Sequence, residues 1–120
     1  GVTSYASFQV KNGMAIAENT IVQTARRAQL LSQSVDDSSN WGIYIESGKV
    51  TLFKGASYAT RDSDYDEEGT ILSSISISGM NEIVYEIFSG EPQSTGTITL
   101  TSPNNEVRNI VINQKGMLEY

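Results

Sequence analysis

Tyr5-Ala6-Ser7-Phe8-Gln9-Val10-Lys11-Asn12-Gly13-Met14-Ala15-Ile16-Ala17-Glu18-Asn19-Thr20-Ile21-Val22-Gln23-Thr24-Ala25-Arg26-Arg27-Ala28-Gln29-Leu30-Leu31-Ser32-Gln33-Ser34 is the stretch that decides the fold. It contains no proline and one glycine, Gly13. Apolar residues fall at Val10, Met14, Ala17, Ile21, Ala25, Ala28 and Leu31. Steps of three and four draw a single stripe down a helix of 3.6 residues per turn. After Val35 the apolar period changes to two and stays there. One long helix followed by short half-buried strands predicts an α+β fold: a long N-terminal α-helix packed on antiparallel β-sheet, arranged as two small sheets. The expected division is a helix over 1–34 and a β-rich globular part over 40–120, together one domain.

Working outward from the helix, Ser32 to Asn40 is polar and turn-rich and ends the helix. Trp41 opens the first strand, with Trp41, Ile43 and Ile45 on one face and Gly42, Tyr44 and Glu46 on the other. Ser47-Gly48 reads as a hairpin turn that needs positive φ. That turn sets a register in which Ile45 opposes Val50, Ile43 opposes Leu52 and Gly42 opposes Phe53. Phe53 is then placed to cover the bare Gly42. Gly55–Gly69 reads as a long, solvated connection, the most mobile part of the domain and a contact surface. Strands are expected again at Thr70–Ser78, where isoleucine alternates with serine, and at Glu82–Phe88. Gly90-Glu91-Pro92 breaks the chain. Thr95–Thr101 and Val107–Asn113 form a second hairpin around Pro103-Asn104-Asn105, and Met117–Tyr120 is a last short strand.

The composition narrows the function. The 120 residues carry a net charge of −6, with Arg26-Arg27 as the sole basic pair. An acidic chain repels phosphate backbones, which disfavours nucleic acid as a partner. Without cysteine there is no disulfide framework and no thiolate metal site. Without histidine there is no imidazole base and no imidazole ligand. Serines are plentiful, but no Gly-x-Ser-x-Gly is present and nothing stands by to activate them. The acidic residues gather in the Gly55–Gly69 stretch rather than in a shaped cleft, which argues against a glycosidase pair. The reading is a protein that is not an enzyme and uses no cofactor. No run approaches the eighteen or so apolar residues of a spanning helix. The chain opens on Gly1 rather than Met, so the natural N-terminus is expected upstream.

Three groups of residues invite a site. Asp62, Asp64 and Asp66 have the spacing of a calcium loop's first ligands. Glu67 stands where the loop wants glycine and Ser73 where it wants glutamate, so the pattern fails twice. Arg61 beside them reads as a local ion-pair partner of small energetic value. Tyr44, Tyr58, Tyr65 and Tyr85 suggest an aromatic platform for a glycan or a partner protein, though tyrosine is also simply a good strand residue. Trp41 reads as core or as a cover at the helix–sheet junction. At the chain start, Val2, Tyr5, Phe8 and Val10, followed by Met14, are candidates for a subunit-interaction face. The first third of the helix is expected to project beyond the globular part.

The ordered set of Ala25-Arg26-Arg27-Ala28-Gln29, Trp41-Gly42-Ile43-Tyr44, Phe53-Lys54-Gly55, Tyr58-Ala59-Thr60-Arg61-Asp62, Phe88-Ser89-Gly90-Glu91-Pro92, Gly96-Thr97-Ile98-Thr99-Leu100 and Arg108-Asn109-Ile110-Val111-Ile112-Asn113 resembles the H-type minor pseudopilins of type II secretion and the minor type IV pilins. The resemblance covers nearly the whole chain. It implies a structural subunit that assembles through its N-terminal helix into a pseudopilus or pilus. It further implies a cleaved leader, a hydrophobic anchor and a near-N-terminal glutamate upstream of these residues. Tyr5-Ala6-Ser7-Phe8 would follow that anchor. The implied partners are other pilin or pseudopilin subunits and the bacterial inner membrane. The implied location is periplasmic or in a surface filament. The other reading is an extracellular binding module, adhesin-like or serving DNA uptake, with Tyr58, Arg61 and Tyr65 on its contact loop. The C-terminal disulfide common among pilins is impossible in a chain without cysteine.

Overall fold

The computed structural model describes the backbone of residues 2–35 and 38–120, and the side chains of 13–35 and 38–120. Helix α1 runs Val2–Gln33. Eight strands follow: β1 (Trp41–Glu46), β2 (Lys49–Lys54), β3 (Asp62–Thr70), β4 (Ser76–Gly79), β5 (Glu82–Tyr85), β6 (Gly96–Thr101), β7 (Val107–Ile112) and β8 (Leu118–Glu119). They form two antiparallel four-stranded sheets, ordered β3-β2-β1-β5 and β4-β6-β7-β8. The helix packs on β1, β2, β3 and β5 of the first sheet and reaches β7 of the second. The fold is therefore α+β, one N-terminal helix on two antiparallel sheets.

The helix buries the stripe that the sequence draws. Met14, Ala17, Ile21, Ala25 and Ala28 have no exposed surface, and Val22 joins them. Leu31, at the end of the stripe, is only partly buried. From the first sheet come Ile43, Ile45, Val50, Leu52, Ile83 and Tyr85; from the second, Ile98, Leu100, Ile110 and Ile112. Removing this apolar surface from water is the main stabilising term, at about 25 cal/mol per Å² buried. Between helix and second sheet, Arg108 sits 3.6 Å from Glu18 and 3.4 Å from Glu106.

The β1–β2 hairpin has the expected register: Ile45↔Val50, Ile43↔Leu52, Gly42↔Phe53. Gly48, at φ 89°, supplies the left-handed corner of its turn. The helix ends without a glycine cap. The Ser32 carbonyl, orphaned at the helix end, accepts the N–H of Phe88 at 2.7 Å. The Gln29 side-chain amide donates to the carbonyls of Gly90 (2.9 Å) and Lys115 (3.0 Å), tying the helix to two turns at once.

Several expectations are corrected. Gly55–Gly69 is not one long loop. Asp62–Thr70 is the nine-residue edge strand β3, paired with β2 through a register shift near Lys54. The acidic run tolerates a strand because cations pair with three of its five carboxylates: Arg27 meets Glu67, Lys49 meets Glu68 and Arg61 meets Asp66. The expected strand over Thr70–Ser78 is shortened to Ser76–Gly79. Ile71 and Ile75 are buried, but their N–H groups go to Gly48 and Leu72 carbonyls rather than to a ladder. Leu72 reaches the helix there, its side chain filling the space beside Gly13. The strand expected to reach Phe88 stops at Tyr85, where the chain turns. Met14 is in the domain's own core, which removes it from a subunit-interaction face. The surroundings of Val2, Tyr5, Phe8 and Val10, and with them the projecting first third of the helix, lie outside the described residues.

Candidate interaction surface

The outer face of the first sheet carries Gly42 and Tyr44 from β1 and Thr51 and Phe53 from β2, set there by strand alternation. An outer face meets water unless something covers it. Here Phe53 and Thr51 are fully buried. The cover is the short connection after Gly55, which folds back and lays Tyr58 on the sheet. The Tyr58 ring stacks on Tyr44 with centroids 4.1 Å apart and planes 10° off parallel. It meets Phe53 edge-on at 5.8 Å. Arg61 closes the stack, its guanidinium 3.8 Å from the Tyr58 centroid. The same guanidinium holds both Asp66 carboxylate oxygens at 3.0 Å and the Tyr58 carbonyl at 2.9 Å. Hydrogen bonding to Asp66 raises the Arg61 pKa above its ordinary value, so the cation is permanent.

Tyr65 stands apart from this stack. Its ring is 43% exposed. It packs edge-on to Trp41 at 6.1 Å and carries the Lys54 ammonium 4.1 Å from its centroid. Trp41 is buried at the helix–sheet junction. Tyr85 is also buried, which takes it out of any platform. Of the residues expected on a contact loop, the fold thus joins Tyr58 to Arg61 and places Tyr65 in a second, more open cluster.

The aspartates are not a cation cradle. Asp62, Asp64 and Asp66 follow one another along β3. Asp66 is taken by Arg61, and Asp62 accepts the N–H of Asp64 at 3.1 Å. Among the described residues no group of three or more acidic, histidine or cysteine side chains is close enough to hold a metal ion. Nor is the basic pair open for phosphate. Arg27 donates to both oxygens of Glu67 at 2.9 and 2.8 Å, and that hydrogen bonding holds the Glu67 carboxyl below its usual range. Arg26 reaches the Tyr120 hydroxyl at 3.3 Å. No described helix is long and apolar enough to cross a membrane.

Sequence reasoning missed Phe88. It has φ 67°, the left-handed region, and its side chain is 56% exposed. The sequence signal was slight: an aromatic just before Ser89-Gly90 at the end of an alternating run.

Comparison with protein-family models, with curated proteins and with solved structures returns no match.

Proposed function

We propose that this chain is the globular part and adjoining helix of a minor pseudopilin or minor type IV pilin, a structural filament subunit. One observation carries the reading. A 32-residue helix is far longer than the average of about 11 to 12 residues. Its described side chains bury a stripe on two antiparallel sheets. Such a helix has two uses: one end nucleates the domain, and the other continues toward a membrane anchor and neighbouring subunits. The sequence of that other end, with Val2, Tyr5, Phe8 and Val10 on it, suits packing against other helices. The sequence resemblance points the same way.

The test is the full-length gene product. Its sequence should open on a short basic leader followed by about twenty apolar residues, the length a spanning helix needs. Because these 120 residues contain no cysteine, single cysteines placed at Val2, Phe8 or Val10 are clean reporters. In membranes they should give disulfide-linked dimers of subunits under mild oxidation. A gene product with no leader and no apolar stretch, or one that stays monomeric at every position, overturns the reading.

The second reading, an extracellular binding module for a glycan or protein, draws on exposed Tyr65 and the Lys54 ammonium over its ring. It is the weaker of the two. Tyr58 and Arg61 already satisfy each other and Asp66, leaving a ligand little to gain from them. A glycan array with the monomeric domain separates the readings, since only a binding module has a competent site in one free copy.

A further inference from the structure

Lys54 and Asp62 are paired across the first sheet, so residues 55–61 leave it and return to it at one point. The segment between lies on the outer face of β1 and β2 as a strap. Its attachments differ from those of the strands beneath. Among the described residues, a single hydrogen bond joins the backbone of 56–61 to a strand, from the Tyr58 N–H to the Glu82 carboxylate at 3.4 Å. The other backbone donors in use close within the strap: Thr60 N–H to Ser57 Oγ at 3.2 Å, and Arg61 N–H to the Tyr58 carbonyl at 3.4 Å. Side chains hold the rest. The Tyr58 ring rests on Tyr44 and Phe53, and Arg61 is caught between that ring and the Asp66 carboxylate. Gly55, at φ 143°, stands at the base, in a conformation that glycine adopts freely.

The face under this strap is not finished as a permanent core. Thr51 lies on it, across from Tyr44 on one side and Glu68 on the other. The residue is fully buried, and its hydroxyl has no hydrogen-bond partner among the described residues. Buried hydroxyls are as a rule bonded, and valine would fill the same space without the unmet group. Beside Thr51 on the face stand the rings of Phe53 and Tyr44. An aromatic patch is thus closed off by one tyrosine ring and one ion pair. Lifting them breaks few bonds, which is the condition for a local opening that leaves the rest folded.

We propose that residues 55–61 are a latched cover, hinged at Gly55 and closed by Arg61 on Asp66, over a docking face for an aromatic side chain carried on an extended segment of a partner protein. The occupant's chemistry is set by what sits there now. Tyr58 lies flat on Tyr44 and edge-on to Phe53, and a cation on the same segment reaches Asp66. A partner segment with an aromatic and a cation takes both places once the cover lifts, and the Thr51 hydroxyl is a hydrogen bond that the cover leaves unused. While the cover is closed, the chain's own strap withholds the face. Opening breaks the ring stack and the latch but no strand ladder, so both sheets stay formed. The proposal stands apart from the filament reading, because it involves neither an anchor nor the helix.

Two measurements test it. The chain has no cysteine, so Thr51→Cys places one thiol of similar size beneath the cover. That thiol should react with a soluble disulfide reagent faster than the chain unfolds globally, at a rate nearly flat in dilute urea, because a local opening exposes little surface. Adding Arg61→Ala should speed the reaction by about tenfold, the worth of a partly buried ion pair with its cation–π contact. Adding Arg27→Ala, which breaks the other bidentate pair on β3, should leave the rate unchanged. Docking is read by NMR on the Tyr58→Ala chain, with a synthetic peptide of residues 56–62 as the probe. At millimolar peptide the amides of β1 and β2 should shift. A peptide with alanine in place of its tyrosine should not shift them, and wild type should bind the unaltered peptide at least about tenfold more weakly, since its own cover must lift first. The proposal is overturned if the thiol reacts only at the urea-dependent rate of global unfolding, if Arg61→Ala leaves that rate unchanged or Arg27→Ala raises it as much, if the Tyr58→Ala chain ignores the peptide, or if the peptide binds as well without its ring or to wild type.

Discussion

The ring of Phe53 occupies the space that a side chain on Gly42 would need. A Cβ built on Gly42 would stand 2.6 Å from Phe53 Cζ and would collide with the carbonyl oxygen of Ile83. The ring belongs to a neighbouring strand in register, and the carbonyl to the strand on the other side. Neither can move without disturbing the ladder. Gly42→Ala should therefore destabilise by at least the ~1–3 kcal/mol usual for an overpacked core. Urea unfolding measures this, and the slope should stay unchanged. A variant as stable as wild type would mean that Phe53 does not cover the glycine.

Gln29 has a comparable role at the other end of the core. Its amide serves two backbone carbonyls, Gly90 and Lys115, from turns that follow different sheets. Gln29→Ala leaves both acceptors without their donor and should cost about 1–3 kcal/mol. Gln29→Glu should be worse at neutral pH, since a carboxylate would face two carbonyl oxygens. Those oxygens favour the protonated acid and raise its folded-state pKa. The penalty is then present above that raised pKa and relieved as pH falls through it. A Gln29→Glu variant whose deficit relative to Gln29→Ala does not shrink on acidification would count against the double hydrogen bond.

The contrast between the two hairpin strands and the acidic strand shows what a sequence makes legible. In β1 and β2 one signal sufficed: a Ser47-Gly48 corner between alternating runs fixed every pair, down to Gly42 opposite Phe53. In β3 the local signal pointed the wrong way. Asp62, Asp64, Asp66, Glu67 and Glu68 read as solvated loop because dense like charge repels. What overrides this is distant in sequence. Arg27 comes from the helix and Lys49 from the start of β2, and neither is visible until the fold brings it across. The Ile71-Ile75-Ile77 alternation misled for a different reason. Burial of isoleucine does not require a ladder, and a turn intervenes before β4. At the candidate surface, Arg61 was legible as an ion-pair partner of the acidic run, and its stacking on Tyr58 was not. Phe88 was not, because left-handed backbone at an aromatic is dictated by the helix end it caps.

The Arg27–Glu67 pair gives a pH signature. Both side chains are more than half exposed, 56% and 53%. The pair should contribute no more than about 1 kcal/mol at neutral pH. Hydrogen bonding to Arg27 lowers the Glu67 pKa in the folded state. A depressed carboxylate contributes stability that is present above its unfolded pKa and lost as pH falls through its folded one. Arg27→Ala should thus be slightly less stable than wild type at neutral pH, and the gap should close below the ordinary carboxylate range. Molar salt at neutral pH should also narrow it. A gap that widens on acidification would mean Arg27 acts through packing of its stem rather than through Glu67.

Tyr85 presents the opposite case, a polar group that the fold would do better without. Its side chain is fully buried, and its hydroxyl has no hydrogen-bond partner among the described residues. Trp41 lies opposite it in the sheet register, and Gly116 stands close to the ring's edge. An unpaired buried hydroxyl costs about 1–3 kcal/mol by mutational measure, and replacing it with hydrogen leaves a void smaller than a methyl group. Tyr85→Phe should therefore be as stable as wild type or more so, by up to about 1 kcal/mol. The same burial raises the phenol's pKa well above its ordinary value. A raised acid pKa means that the associated pH effect appears on the alkaline side. The folded state resists ionisation of Tyr85, and stability falls as pH rises beyond the ordinary tyrosine range, where the unfolded chain loses the proton first. An ultraviolet titration should show one of the six tyrosines ionising only with alkaline unfolding. Tyr85→Phe should remove that step and move alkaline unfolding to higher pH. A Tyr85→Phe variant that loses more than about 1 kcal/mol would show that the hydroxyl is bound, most simply by a buried water with partners of its own.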